Sequence, residues 1–345
     1  MAEVEGINSG PVTAWFEEHI AGSRGPLSFD LVAGGRSNLT FVVTDGGGQR
    51  YVLRRPPTSH VLPSAHDMGR EHRIISALGP TPVPVPPALG YCDDVAVNGR
   101  PFYVMGYVDG HVLRDAGIVE KTLSVDQRRT AGEDLIDVLV ALHKVDVDAV
   151  GLGDLARREG YIERQLKRWY GQFQQSAATQ QRTVPIIDEM HDYLASRVPD
   201  QGTAGIVHGD YRLDNTMFSS DGRVLAVLDW EICTLGDPMA DLGLLMVYWA
   251  EPGDANAPLG VTPTTVPGFP TRAGMAERYA ERSGRDISHL DFFIAFGYWK
   301  LACILEGVYA RYVGGAMGGD RSGFEGFAQQ VELLGGMARE AAAKL

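Results

Sequence analysis

Two short apolar segments, each followed at once by polar residues, constrain the fold of this chain most. Residues 205–207 lead into HGDYRLDN at 208–215, and residues 224–228 lead into Asp229, fourteen residues after Asn215. Such runs predict buried strands, and the residues after them predict loops held on a rigid framework. The pattern therefore predicts that Asp210, Asn215 and Asp229 meet in one site.

These three residue types suit phosphoryl transfer. Mg²⁺ prefers hard oxygen ligands and takes few of them from protein, and Asn215 and Asp229 offer two. Asp210 lies five residues before Asn215, so one tight loop can aim Asp210 at an acceptor hydroxyl and Asn215 at the metal. Each residue alone has a structural alternative: a turn for Asp210, a cap for Asn215 and a strand end for Asp229. Because all three occur in the required order, the joint pattern favours catalysis.

The first 108 residues predict a small α+β unit. Helices are expected at 11–22 and 67–78, the second ended by Gly79-Pro80. Short β-type runs occur at 29–32, 39–44, 49–54, 88–91 and 101–107. The Asp-Gly-Gly-Gly sequence at 45–48 is typical of a hairpin turn. We therefore expect a five-stranded antiparallel sheet with a helix against it.

From about residue 110 the pattern is mostly helical. Helices are expected at 125–145, 161–175, 185–196, 235–249, 274–283, 288–313 and 323–344. Residues 251–270 are rich in Pro, Gly and Thr and predict a surface loop. We therefore predict a small N-terminal sheet lobe at 1–107 and a large C-terminal helical lobe at 108–345, with the polar motifs on loops beside the short strands of the second lobe.

Composition disfavours several other classes of protein. The net charge of −13 argues against a nucleic-acid partner. Three widely spaced cysteines, Cys92, Cys233 and Cys303, predict neither a disulfide framework nor a zinc site, and a reducing cytoplasm is the simplest location. No signal peptide is expected, because the N-terminus carries Glu3 and Glu5 and no apolar h-region. No membrane association is expected, because no run of 18 or more apolar residues occurs. The pattern predicts nothing about protein partners or oligomeric state.

The segment 205–243 resembles the aminoglycoside phosphotransferase family, which is related to choline kinases. The resemblance lies in GIVHGDYRLDN at 205–215, LDWE at 228–231, and GDP with the Asp-Leu pair at 236–242. Eukaryotic protein kinases carry Arg in place of Gly209 and D-F-G in place of residues 229–231. The resemblance implies a protein-kinase-like bilobal α+β fold. It assigns nucleotide binding to the N-terminal lobe at 1–107, and the catalytic loop, the metal site and the acceptor site to the C-terminal helical lobe at 108–345. It also implies transfer of the γ-phosphoryl group of ATP or GTP to a small-molecule hydroxyl, with Asp210 as base and Mg²⁺ on Asn215 and Asp229.

Residues upstream extend this resemblance to the nucleotide site. LVAGGRSNLT at 31–40 resembles the family's nucleotide-covering loop, although a plain hairpin turn is the alternative. Gly35, Ser37 and Asn38 are expected to bind the nucleotide there, partly through backbone N–H groups that cradle phosphate oxygens. The segment 104–110 resembles the hinge, so Met105 and Tyr107 are expected beside the adenine.

Arg54 stands where the resemblance normally places a phosphate-binding Lys. Guanidinium is always charged and binds phosphate bidentately, so the role can survive. Glu71 is the expected ion-pair partner of Arg54, against the alternative of a solvated helix Glu, and Arg55 should face the other side of the strand. Asp241 is expected to anchor the catalytic loop without contacting the substrate, whereas Asp237 can either anchor the loop or contact the substrate. His208 is expected to hold the loop by hydrogen bonding.

Short sequence matches suggest a class of phosphoryl acceptor. VLRRPP at 52–57, REHRII at 70–75 and DWEICTLGDP at 229–238 are similar to kinase domains fused to acyl-CoA dehydrogenases and their stand-alone bacterial relatives. This similarity implies a hydroxylated metabolite such as a hydroxyacyl-CoA. An aminoglycoside-like compound remains the other acceptor. The basic residues Arg157, Arg158, Arg164, Lys167 and Arg168 would suit an anionic CoA, although a solvated helix face is the plainer interpretation.

Two alternatives of other classes remain. A nucleotide-binding pseudokinase is opposed by the intact Asp210, Asn215 and Asp229. A Ser/Thr protein kinase is opposed because no A-P-E motif follows Asp229.

Overall fold

The computed structural model describes residues 4–32, 38–58, 67–254, 263–314 and 326–345. Within them the helices are α1 (Ser9–His19), α2 (Met68–Leu78), α3 (Val95–Asn98), α4 (Ala116–Thr122), α5 (Val125–His143), α6 (Tyr161–Thr179), α7 (Pro185–Ala195), α8 (Met239–Tyr248), α9 (Arg272–Ser283), α10 (Leu290–Val313) and α11 (Phe327–Ala342). The strands are β1 (Ser28–Leu31), β2 (Leu39–Thr44), β3 (Arg50–Arg55), β4 (Ala88–Cys92), β5 (Phe102–Gly106), β6 (Gly205–Val207), β7 (Thr216–Phe218), β8 (Val224–Val227) and β9 (Thr234–Gly236).

The N-terminal sheet has the strand order β1-β2-β3-β5-β4, and every neighbouring pair is antiparallel. The β2–β3 hairpin turns where the sequence predicts, because the Asp45 carboxylate accepts hydrogen bonds from the N–H groups of Gly47 and Gln49. On one face α1 packs Trp15 edge-on against Phe102, with ring centroids 4.9 Å apart. The predicted five-stranded antiparallel sheet is confirmed.

Strand alternation sends the two arginines at the end of β3 to opposite faces. Arg55 donates to the carbonyl groups of Gly6 and Pro56, on the side that α1 covers. Arg54 instead lies 3.3 Å from Glu71 of α2 (Nε to Oε2). The sequence therefore predicts correctly which arginine faces α2, because side chains in a strand alternate with period two.

Helix α2 connects the sheet to the helical part. It begins after Asp67, whose carboxylate accepts the N–H of Arg70 at 2.9 Å, an N-cap that satisfies a free helix donor. The Arg70 guanidinium donates to the carbonyl oxygens of Leu155 at 3.0 Å and Cys233 at 2.8 Å. The two terminal nitrogens of the Arg70 guanidinium thus hold α2 against loops of the helical part.

The helical part is built around α10. This helix packs against α6, α7, α8 and α11, and it buries Phe292, Phe296 and Trp299. By length and composition α10 could cross a bilayer, but 67% of its most apolar window is buried inside the protein. Its apolar character therefore follows from its place in the core.

Two small antiparallel sheets hold the loops that carry the polar motifs. Strand β6 pairs with β9, and β7 pairs with β8. The sequence predicts a helix from Leu235, and this is wrong at its start: Leu235 and Gly236 lie in β9, and α8 begins at Met239. The Asp237 carboxylate accepts the N–H of Met239 at 3.0 Å, which fixes the later start.

Three described elements have no counterpart in the sequence predictions: α3, α4 and β7. They span only four, seven and three residues, too short for a clear period. In the predicted surface loop 251–270, residues 255–262 lie outside the described part. Residues 263–265 form a 3-10 turn in which Thr264 is buried, so this end of the loop is packed and not solvated.

Candidate active site

The loop predicted to be catalytic, residues 208–215, begins at the end of β6, where Asp241 of α8 holds its backbone. It is called the catalytic loop after that prediction. The fully buried Asp241 carboxylate accepts the N–H groups of His208 at 2.7 Å and Gly209 at 2.8 Å. Gly209 has φ of +87°, and a Cβ there would lie 3.0 Å from Ile232, so this position requires glycine. The predicted anchoring role of Asp241 is confirmed.

His208 joins the catalytic loop to the end of β8. Its Nε2 lies 2.9 Å from the carbonyl oxygen of Leu228, and the N–H of Asp210 donates to its Nδ1 at 3.3 Å. A ring that donates from Nε2 and accepts at Nδ1 is the neutral tautomer. His208 therefore holds the loop by hydrogen bonding, as the sequence predicts.

A second buried histidine supports the same anchor. His143 of α5 lies with Nε2 3.3 Å from the Asp241 carboxylate, and its Nδ1 contacts the Tyr279 hydroxyl at 2.7 Å. Burial acts to raise the pKa of Asp241, but the contacts with His143 and the loop N–H groups outweigh it and lower the pKa. The anchor is thus an ionised carboxylate in a network whose members lie on α5, α8 and α9.

Asn215 fixes Asp210. The Asn215 amide nitrogen donates to the Asp210 carbonyl oxygen and to its Oδ2, each at 2.8 Å, across the 3-10 turn Leu213–Asn215. Arg212 approaches the same carboxylate, with Nε 3.4 Å from Oδ2, and its guanidinium stacks 4.8 Å from the Tyr248 ring centre. Since the amide nitrogen of Asn215 is engaged with Asp210, its amide oxygen is the atom that can serve as a ligand.

Arg212 and Tyr248 are not among the residues that the sequence singles out. Arg212 lies inside the HGDYRLDN motif, and this position in the sequence could have indicated that it lies near Asp210. Tyr248 is a hydrogen-bond partner of Asp210, and burial followed by the Asp210 charge raises the pKa of its hydroxyl. Tyr248 stands at the end of an apolar helix, as many core aromatic residues do, so the sequence gives no sign of its contact with Asp210.

Asp229 follows β8 in an unusual backbone conformation. Its φ is +63°, a left-handed value that residues other than glycine seldom adopt and that is found most often at functional sites. The backbone just before it is fixed, because the N–H of Leu228 donates to the Asn215 carbonyl at 2.8 Å. The Asp229 and Asn215 segments are therefore held side by side.

Arg54 links Asp229 to α2. Its Nη2 lies 2.6 Å from Asp229 Oδ1 and 3.7 Å from Glu231 Oε2, while its Nε faces Glu71 at 3.3 Å. The Glu71 side chain is 1% exposed, so the alternative of a solvated helix Glu is wrong and the predicted ion pair is confirmed.

Glu71 is surrounded by further donors. The Tyr103 hydroxyl donates to it at 3.0 Å, and the Asn38 amide donates to Glu71 at 3.2 Å and to Glu231 at 3.0 Å. Burial raises the pKa of Glu71 to about 7, although the Arg54 guanidinium opposes this change. Sequence reasoning missed Tyr103 and Glu231, although Glu231 stands two residues after Asp229.

A cavity of about 420 Å³ opens between the sheet and the catalytic loop. The predicted site residues that line it are Asn38, Arg54, Met105, Asn215 and Asp229. Tyr107 is not among the described lining residues; its ring lies under the Arg50 guanidinium at 3.9 Å. Gly35 and Ser37 lie outside the described residues.

The oxygen donors in this cavity fit a magnesium ion. The Asp229 carboxylate and the Asn215 amide oxygen are hard ligands on adjoining backbone segments. Within the described residues there is no cluster of three or more His, Cys, Asp or Glu that could hold a metal.

Comparison with known proteins agrees with this architecture. The model of the phosphotransferase enzyme family matches residues 28–282. Acyl-CoA dehydrogenase family member 11 of Gallus gallus is 37% identical over 317 residues, which cover 90% of this chain and 40% of that protein. The chain thus spans less than half the length of this curated relative.

Solved structures show the same fold. A candidate aminoglycoside phosphotransferase from Ralstonia eutropha JMP134 is 35% identical, with a TM-score of 0.80 and coverage of 97% of this chain and 98% of that one. A choline kinase from Cryptosporidium parvum has a TM-score of 0.68 at 12% identity, covering 97% of this chain and 95% of that one, a likeness of fold alone. The predicted bilobal kinase-like α+β fold is confirmed.

Proposed function

Because the chain belongs to the phosphotransferase enzyme family, we propose that it is an ATP-dependent kinase that transfers the γ-phosphoryl group to a hydroxyl of a small molecule. The observation that carries this proposal is the meeting of Arg54, Asn215 and Asp229 at one cavity, with Asp210 held beside it by Asn215. Each of these residues supplies one function that phosphoryl transfer requires.

Asp210 is the catalytic base. Its carboxylate takes the proton of the acceptor hydroxyl as that oxygen attacks phosphorus, and Asn215 keeps it in place at 2.8 Å. His208 and Asp241 support Asp210 through the loop backbone: they contact the N–H groups of residues 208–210 and the Leu228 carbonyl. Because Asp241 is itself held by His143, the placement of the catalytic base depends on a buried network.

Arg54 and the two oxygen donors bind the nucleotide. The Arg54 guanidinium contacts the phosphates, with Glu71 holding its other edge at 3.3 Å. Asn215 and Asp229 hold Mg²⁺, which when bound neutralises charge on the phosphate oxygens. Met105 also lines this cavity, and the adenine ring of the nucleotide is placed beside it.

For the acceptor we propose a hydroxyacyl-CoA-like metabolite ahead of an aminoglycoside-like compound. The support is the similarity to the acyl-CoA dehydrogenase family members. Of the five basic residues at 157–168, Arg158 pairs with Asp148, and Arg164 donates to the carbonyl oxygens of Glu159 and Arg157. The CoA interpretation therefore cannot rest on the whole basic run.

The experiment is a transfer assay on a panel of acceptors. Purified protein is incubated with Mg²⁺ and ATP or GTP, and with hydroxyacyl-CoAs, aminoglycosides, choline-like amines or a Ser/Thr peptide. Asp210→Ala serves as the blank. Phosphorylated small molecule, detected by mass spectrometry with ATP and absent from the blank, supports the proposal. Retained nucleotide binding without transfer to any acceptor would indicate a pseudokinase, and transfer only to the peptide would indicate a protein kinase.

A further inference from the structure

A second cavity shares no lining residue with the nucleotide cavity. It has a volume of about 310 Å³, and its lining includes Tyr161, Arg168, Trp169, Gly209, Ile232 and Lys300. The same loops reach both cavities: Arg212, Asp214, Asn215 and residues 227–230 line the first, whereas Gly209 and residues 231–234 line the second. Asp210 therefore lies in the short stretch of loop between the two cavities.

Lys300 is a buried cation in the wall of this second cavity. It lies on α10 with 5% of its surface exposed, and its Nζ donates to the Gly209 carbonyl at 2.9 Å. An ammonium group has three N–H donors, so this contact uses one of them. In the described part of the chain, no carboxylate lies within ion-pair distance of Nζ. Burial lowers the pKa of Lys300, while the more distant Asp210 and Asp241 act to raise it.

Arg168 is a second cation in the same wall. It is exposed on α6, and its guanidinium stacks 4.9 Å from the Trp169 ring. No ion pair joins it to a carboxylate among the residues with described positions. The Lys300 ammonium lies 5.7 Å from the same Trp169 ring. The Trp169 indole thus lies near two cations, Arg168 of α6 and Lys300 of α10.

The remaining charges of this cavity have internal roles. Arg70 donates to the carbonyls of Leu155 and Cys233, and Asp67 caps α2. Glu231 accepts from Asn38 and lies 3.7 Å from Arg54. In the described structure Arg70, Arg168 and Lys300 all lack a carboxylate partner. Both guanidinium ends of Arg70 are used on the two carbonyls, so Lys300 and Arg168 are the cations of this cavity that can engage a ligand. A buried charge is costly unless it is paired, so this cavity favours a ligand that brings negative charge.

We propose that this cavity is the acceptor pocket and that Lys300 and Arg168 bind an anionic group of the acceptor, which brings the acceptor hydroxyl to Asp210. This inference rests on the proposed kinase function and names its substrate class as a hydroxylated anion. The negative oxygens can belong to the carboxylate of a free hydroxy acid or to the phosphates of its CoA thioester. A polycationic aminoglycoside is repelled by the same pair.

The test compares four variants: Lys300→Gln, Lys300→Met, Arg168→Gln and, as control, Lys167→Gln. Lys167 is an exposed cation on the same helix that is not among the lining residues. Initial rates are measured with short hydroxy acids, their CoA thioesters, neutral diols and an aminoglycoside. We expect KM for the anionic acceptors to rise roughly 10- to 100-fold in Lys300→Gln and Arg168→Gln, the loss of one charged hydrogen bond each. Lys167→Gln and the rates with neutral diols should not change.

The two Lys300 variants separate recognition from support of the loop. Gln can still donate to the Gly209 carbonyl but carries no charge, whereas Met does neither. If Lys300 only supports the loop, Lys300→Gln keeps the wild-type KM and Lys300→Met lowers kcat alone, which would overturn the proposal. Arg168 is exposed, so Arg168→Gln keeps the test decisive even if a Lys300 variant unfolds. A wild-type preference for the aminoglycoside would also overturn it.

Binding without turnover separates this inference from the proposed function. CoA and a short hydroxy acid are each titrated calorimetrically into the nucleotide-free protein and its variants. If either binds, and binding weakens in Lys300→Gln and Arg168→Gln, the anion pocket stands even when no acceptor is phosphorylated. Which of the two probes binds identifies the source of the negative oxygens. Binding of neither, in a protein that phosphorylates another acceptor, would refute the pocket and leave the kinase proposal intact.

Discussion

The Arg54 guanidinium lies 2.6 Å from the Asp229 carboxylate, Nη2 to Oδ1. These residues are 175 positions apart in the chain, one at the end of β3 and the other just after β8. The proposed phosphate ligand and one proposed metal ligand thus form an ion pair with each other. Binding of nucleotide and Mg²⁺ must replace this ion pair with contacts to phosphate and metal, so changes at either residue should affect nucleotide affinity directly.

We expect Arg54→Met to weaken ADP binding by roughly 10- to 100-fold, because a charged hydrogen bond to phosphate contributes about 1.5–3 kcal/mol. Arg54→Lys keeps the charge but loses the planar fork, so its affinity should fall by less than about tenfold. Titration calorimetry with Mg²⁺ and ADP measures both. Equal affinity in wild type and Arg54→Met would contradict the assignment of Arg54.

Asp229→Ala should remove the magnesium dependence of nucleotide binding. In the wild type, ADP affinity is expected to drop when EDTA replaces Mg²⁺, since the metal bridges phosphate and carboxylate. The variant should bind ADP with similar affinity in both conditions. Asp214→Asn is the matched control, a carboxyl that lines the same cavity but pairs with Arg212 at 3.2 Å, and it should keep the dependence.

Asp210→Asn should separate chemistry from binding. The amide oxygen can still accept from Asn215, but the side chain no longer takes a proton, so kcat should fall by about 10²- to 10⁴-fold. The affinity for ADP should stay within about threefold, because Asp210 is not among the described residues that line the nucleotide cavity. Single-turnover transfer and calorimetry measure the two effects. Loss of ADP binding would argue that Asp210 acts as a metal ligand.

Asp241→Asn should destabilise the protein by about 2–4 kcal/mol, because the new amide group faces N–H donors in a fully buried site. Urea unfolding followed by circular dichroism measures the change in free energy of unfolding. Asp30→Asn, at an exposed position of β1, is the control and should stay within about 0.5 kcal/mol of wild type. A similarly small effect for Asp241→Asn would mean that the loop does not depend on this anchor.

Glu71 should make stability depend on pH. Its pKa is about 7 in the folded protein against an ordinary value of 4.5. Between these values the folded protein binds more protons than the unfolded chain, so the contribution of Glu71 is complete below pH 4.5 and is lost as pH rises through about 7.

The test is urea unfolding of wild type and Glu71→Gln between pH 5 and 8. The variant lacks the titration, so the stability of wild type relative to it should fall with rising pH, by up to about 3 kcal/mol over the window. Parallel pH profiles of the two proteins would show that Glu71 does not titrate in this range.

Local patterns predicted the catalytic loop well because its residues are close in the chain. The spacing of Asp210 and Asn215 reflects one tight turn, and alternation along β3 separated Arg54 from Arg55. The predicted start of α8 is wrong because Leu235 and Gly236 pair with β6, whose residues lie about 30 positions earlier. A strand pairing between such distant residues leaves no local period, and the apolar run alone favours a helix.

Lys300 illustrates what the pattern could not reveal. It lies in the most apolar long helix, 91 residues from the Gly209 carbonyl that it contacts. Its apolar neighbours indicate burial, but they do not indicate which groups its ammonium contacts. Arg168 stood in a basic run of five, and only the described contacts show that Arg158 and Arg164 are engaged elsewhere while Arg168 lines the cavity.

By itself, then, the sequence determined the local elements, the order of the motifs and the chemical groups available for phosphoryl transfer. Only the tertiary structure decided which charges meet: Arg54 with Asp229 and Glu71, and Asp241 with the loop N–H groups. It also placed Lys300 in a cavity wall where no described carboxylate lies within ion-pair distance of its Nζ. The physical reason is that hydrogen bonding, burial and ion pairing depend on distance in space. Residues remote in sequence set both that distance and the local polarity.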